Sequence, residues 1–157
     1  MTIDFEHLVT GIDHVQVAIP PGSEEICRAF YVGVLGFVEV EKPPVLAARG
    51  GLWLQAGDRQ LHLGVEKDFR PAKKAHPAFM AWDAYRLAER LTDAGQNVVW
   101  ANDIPGVQRF HVDDPAGIRL EFVHKPRDFV ETRLGGPKFD DLDLERSKDT
   151  GREVDLE

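Results

Sequence analysis

The chain has 157 residues, 43% hydrophobic and 29% charged, which is the composition of an ordinary soluble globular domain with one buried core. A formal charge of −8 argues against a nucleic-acid partner, whose phosphates call for a basic face. Cys27 is the single cysteine, so no intrachain disulfide forms, Met1–Glu6 lacks the basic and apolar regions of a signal peptide, and no apolar run reaches the roughly 20 residues of a membrane span. The expectation is a protein of the reducing cytoplasm with no membrane partner.

Residues 12–19 alternate, with Val15, Val17 and Ile19 on one face and His14, Gln16 and Ala18 on the other. Pro20-Pro21-Gly22 ends that strand. Ser23 is the expected N-cap of a helix carrying Glu24 and Glu25 in its first turn, where the helix dipole favours negative charge. Ile26, Ala29, Phe30 and Val34 keep helical spacing, and Gly36 stands at the C-terminal cap. Phe37–Glu41 alternates as a strand, Leu52–Gln55 follows the Gly50-Gly51 pair, Gly57-Asp58 turns the chain, and Arg59–Val65 runs as a further strand with His62 opposite Leu61 and Leu63. The first half reads β-α-β-β-β.

Residues 67–74 form a polar, basic linker with Pro71 inside it and no apolar period. The plan then repeats. Ala75–Ala81 is a strand opened by His76, Asp83 caps a helix whose stripe is Ala84, Leu87, Ala88 and Leu91, and Gly95 ends it. Val98–Trp100 and Val107–Val112 are strands, Asp114-Pro115-Ala116-Gly117 is a turn, and Ile118–His124 is the last strand, with Glu121 opposite Leu120 and Phe122. From Pro126 the pattern lapses into a tail with ten Asp or Glu against six Lys or Arg, read as a loose acidic arm over 126–157.

The expected fold class is therefore α+β, one domain over 1–125 made of two βαβββ modules at about 11–66 and 75–124. His14 and His76 open the first strand of each module, and His62 and Glu121 lie on the last. If each module packs its aliphatic face beneath its own helix, the other faces are free to form a concave wall carrying three imidazoles and a carboxylate. Such donors hold zinc, nickel, iron(II) or manganese, and a vacant coordination position would make the site catalytic. Gln16, Arg109 and His111 are candidates for orienting a small-molecule substrate, and Trp53, Trp100 and Met80 for an apolar lining.

Asp13-His14-Val15, Phe30-Tyr31 with Val34-Leu35-Gly36-Phe37, Gln60-Leu61-His62-Leu63, and Asp113-Asp114-Pro115-Ala116-Gly117 with Arg119-Leu120-Glu121-Phe122 resemble the vicinal oxygen chelate superfamily. That group includes glyoxalase I, fosfomycin-resistance thiol transferases, extradiol dioxygenases and bleomycin-resistance proteins, and the resemblance spans about residues 11–124. It implies paired modules forming a cupped mixed sheet, commonly in a homodimer. It also implies a divalent metal held by His14, His76 and Glu121, with His62 standing where glyoxalase I has a second glutamate. Ile118 replaces an asparagine often found after the turn glycine. The implied activity is a lyase or isomerase working through a metal-stabilised enediolate, with His62 as ligand or as base. The alternatives are an extradiol-type iron(II) dioxygenase and a non-catalytic binder that sequesters a drug or toxin. The linker allows the two modules of one site to come from one chain or from two.

Overall fold

The computed structural model describes residues 8–124, so the acidic arm expected over 126–157 lies outside the described residues. Two four-stranded mixed sheets are built on one plan. The first contains β1 (His14–Ile19), β2 (Val38–Val40), β3 (Leu52–Ala56) and β4 (Arg59–Val65) in the order β1-β4-β3-β2. The second contains β5 (Ala78–Met80), β6 (Val99–Ala101), β7 (Gln108–Asp113) and β8 (Arg119–His124) in the order β5-β8-β7-β6. In each, the first strand runs parallel to the last and the other pairs are antiparallel. That matches the expected pair of βαβββ modules. It also leaves β1 and β5 as edge strands, each hydrogen-bonded on one side within its sheet.

The helices depart from expectation in two places. The first module's helix is α-helical only as α1 (Glu24–Arg28) and then widens into a π-helical turn over Ala29–Val34, closed by the Leu35 amide donating to the Phe30 carbonyl at 3.0 Å. The widening lets the sequence neighbours Phe30 and Tyr31 both reach the core. Ser23 is not a side-chain cap, because its hydroxyl donates to the Pro20 carbonyl at 2.7 Å. A short helix, α2 (Pro44–Ala47), starts at the Pro43-Pro44 pair that sequence reads only as a break, with proline at a position where its missing N–H costs nothing. In the second module, α3 (Ala84–Asp93) is capped as expected, the Asp83 carboxylate accepting from the Arg86 amide at 3.0 Å. No helix among the described residues is long and apolar enough to cross a membrane.

Leu52, Leu54, Leu61 and Leu63 of the first sheet and Phe110, Leu120 and Phe122 of the second join the helix residues Cys27, Phe30, Tyr31, Ala84, Ala88 and Leu91 in one buried cluster. Phe37 packs edge-on against Phe79 across the modules. The Tyr31 hydroxyl donates to Asp114 Oδ2 at 2.7 Å, and the other oxygen of that carboxylate accepts from the Ala116 and Ile118 amides. Because side chains alternate along a strand, the polar faces lie on the far side of each sheet from this shared core.

Candidate metal centre

Pairing registers fix what each polar face carries. On the first sheet His14 sits beside Gln60, Gln16 beside His62 and Trp53 beside His62. The His14 ring stacks on His62 with centroids 4.2 Å apart, and the Trp53 indole covers the other face of His62 at 4.1 Å and an interplanar angle of 3°. His14 Nδ1 is bonded to Asp13 Oδ2 at 2.8 Å, which leaves Nε2 as the outward nitrogen. His62 Nε2 meets Gln60 Oε1 at 2.9 Å, so its proton is on Nε2 and its lone pair on Nδ1. Burial, aided by His14, lowers the His62 pKa below the ordinary histidine value and keeps the ring neutral at pH 7.

On the second sheet Glu121 lies between Ala78 and His111. His76, on the segment entering β5, bonds the Lys74 carbonyl through Nδ1 at 2.7 Å and reaches Glu121 Oε2 through Nε2 at 3.0 Å. Arg109 holds the other oxygen, Nη1 to Oε1 at 2.8 Å, and its Nη2 reaches both oxygens of Asp103 at 2.6 and 2.8 Å. Burial would raise the Glu121 carboxyl, but the bonds from Arg109 and His76 outweigh it and hold the pKa below the usual glutamate range. His111 is shifted down, chiefly by burial.

The four expected ligands are thus brought together as two pairs. His14 and His62 stack on one sheet, and His76 and Glu121 bond on the other. Among the described residues the group of donor atoms lying within 4.8 Å of one another is His76, His111 and Glu121, and it excludes both first-module histidines. His111, expected to orient substrate, therefore stands among the potential ligands, and Arg109 touches Glu121 directly. Gln16 lies over Gly64 and lines, with Val15, Val17, Phe79, Ile118 and Phe122, an apolar cavity of about 990 Å³ running along the edge strands β1 and β5. Of the expected apolar lining, Met80 borders that cavity, Trp53 serves His62, and Trp100 packs on Tyr85 and Phe110.

No family model and no curated protein sequence matches the chain. Among solved structures, a protein from Bacillus anthracis assigned to the glyoxalase family is 45% identical, with a TM-score of 0.74 over 75% of this chain and 97% of its own. The chain belongs to the vicinal oxygen chelate superfamily. A glyoxalase family protein from Enterococcus faecalis (22% identical, TM-score 0.59, 72% and 96% covered) and the fosfomycin resistance protein FosX from Listeria monocytogenes (11%, 0.62, 77% and 98%) share its fold.

The side chains that this superfamily would use to bind a divalent ion fit one. His76 donates its Nδ1 proton to a backbone carbonyl, which leaves its Nε2 facing a carboxylate oxygen 3.0 Å away. Two lone pairs at that distance repel unless a proton or a metal cation lies with them. Asp13 orients His14 in the same way, a partner that sequence reasoning left out although it adjoins the histidine. Asp103 was missed as well, since nothing in Asn102-Asp103 marks it as the residue that meets Arg109.

Proposed function

We propose that this protein is a divalent-metal-dependent enzyme acting on a small molecule with two neighbouring oxygens, a lyase or isomerase of glyoxalase type. We further propose that it works as a homodimer, each site taking His14 and His62 from one copy and His76 and Glu121 from the other. The observation that carries the reading is the His76–Glu121 pair, its imidazole tied through Nδ1 and its Nε2 turned to the carboxylate. Two features support the dimer: the donor pairs sit on faces turned away from the one shared core, and among the described residues β1 and β5 are edge strands of their sheets.

His14, His76 and Glu121 would hold the ion, which when bound supplies Lewis-acid stabilisation of negative charge on substrate oxygen. The chain's own residues supply the rest. His62, neutral and with its lone pair on Nδ1, accepts the proton removed from carbon next to a carbonyl, while Gln60 fixes the tautomer and Trp53 and His14 fix the ring plane. Glu121 stays ionised because the Arg109 guanidinium bonds it.

Elemental analysis of the purified protein, followed by a screen of hemithioacetals, epoxides and catechols, tests this. Stoichiometric metal that disappears in His76→Ala and Glu121→Ala, with turnover of a hemithioacetal or epoxide, is expected. Iron-dependent ring cleavage of catechols in air would make the protein a dioxygenase instead. Ligand binding by a protein that takes up no metal under any reconstitution would make it a sequestering protein.

A further inference from the structure

We infer that Arg109 is the receptor for an anionic group on the substrate, a carboxylate or a phosphonate, and that Asp103 occupies it in the substrate-free protein. The inference rests on the metal-centre reading above and adds the chemical class of the substrate.

Arg109 belongs to the polar face: its side chain is 16% exposed, and it touches Glu121, itself 12% exposed. Its other partner comes from outside. Asp103 is 69% exposed and lies on the connection between β6 and β7. Both Asp103 oxygens fall on the single nitrogen Nη2, while the adjacent Nε is buried and has no partner. Guanidinium and carboxylate fit best side-on, with one oxygen on each of two neighbouring nitrogens. Asp103, tethered to its loop, fills one prong of the Nε/Nη2 edge and leaves the other unused. A carboxylate or phosphonate free to approach would take both.

Charge points the same way. Arg109 is neutralised by Glu121 and Asp103 together. If Glu121 served a divalent cation, its charge would be shared with that cation, and Asp103 would be left as the exposed counter-charge of Arg109. A substrate whose chelating oxygens lie next to an anionic group answers both cations at once.

The full-length protein loaded with zinc is titrated calorimetrically with acetohydroxamate and with succinic monohydroxamate, which present the same chelating head without and with a carboxylate. Wild type is expected to bind the carboxylate-bearing probe about tenfold more tightly, as a charge-assisted contact provides. Arg109→Gln should erase that preference and Arg109→Lys keep part of it. Asp103→Asn, a change at an exposed loop position, should tighten the carboxylate-bearing probe several-fold and leave acetohydroxamate unchanged. A merely structural ion pair would not produce that gain. Equal affinity of wild type for the two probes, or an Asp103→Asn variant no tighter than wild type, overturns the inference. Failure to bind zinc, nickel, iron(II) or manganese overturns the metal-centre reading instead. In that case methylphosphonate decides the matter on the metal-free protein: tighter binding by Asp103→Asn than by wild type supports the receptor, and no difference overturns it.

Discussion

His62 shows how one side chain is prepared by its neighbours. Gln60 holds its Nε2 proton, Trp53 and His14 sandwich its ring, and burial together with the His14 charge depresses its pKa. Its imidazole proton resonances should therefore titrate below the ordinary histidine value of 6.5, and in His14→Ala the midpoint should move up toward it, since a like charge has been removed. An unchanged midpoint would show that His14 exerts no influence there. The sequence discloses His14, His62, His76 and Glu121 because strand alternation sets each opposite an aliphatic set, and their matching places in a duplicated unit mark them together. It does not disclose that Arg109 and His111 converge on Glu121, or that Asp103 meets Arg109. That convergence depends on the register of β7 against β8 and on the path of the β6–β7 loop, which no local pattern encodes.

Among the elements, the strands were the most legible, since a period of two with aliphatic residues on one face survives to the observed boundaries within one to three residues. The π-helical turn was not, because Ile26, Ala29, Phe30 and Val34 are spaced as an α-helix would space them, and only packing of Phe30 and Tyr31 together demands the wider turn. Tyr31 then joins the modules through Asp114. Tyr31→Phe leaves a buried carboxylate short of a donor and should cost about 1–3 kcal/mol in urea unfolding. Burial and the Asp114 charge raise the Tyr31 pKa well above 10, and burial pushes the Cys27 thiol up to about 11. Groups whose folded pKa is raised contribute stability that is present below the unfolded value and lost as pH rises toward the folded one. Stability should accordingly fall as pH rises above about 9 for Cys27 and further above 10 for Tyr31, and the second part should be missing from Tyr31→Phe. Gly51 takes φ +78°, and a Cβ there would lie 2.0 Å from the Leu63 carbonyl oxygen, so Gly51→Ala should destabilise the β3–β4 pairing by at least about 2 kcal/mol in the same assay.

At the scale of the whole molecule, duplication decides the outcome. His14 and His62 share the polar face of the first sheet, His76, His111 and Glu121 that of the second, and the aliphatic faces meet in a single core, so one folded chain carries two separate donor groups. Sequence reveals the duplication and the expected donors, and leaves their pairing open, because the 67–74 linker is compatible with either arrangement. The placement of the faces favours pairing between copies. The protein should sediment as a dimer, and dilution that separates the copies should release the metal. The most direct measurement is metal content per chain in His14→Ala, in His76→Ala, and in an equimolar mixture of the two unfolded and refolded together. If sites form between copies, neither variant alone holds metal, whereas mixed dimers carry one intact site out of two and the mixture recovers about a quarter of the wild-type content. Metal retained by His14→Ala would instead locate it on His76, His111 and Glu121 within one module. A mixture as empty as its components would contradict sites shared between copies.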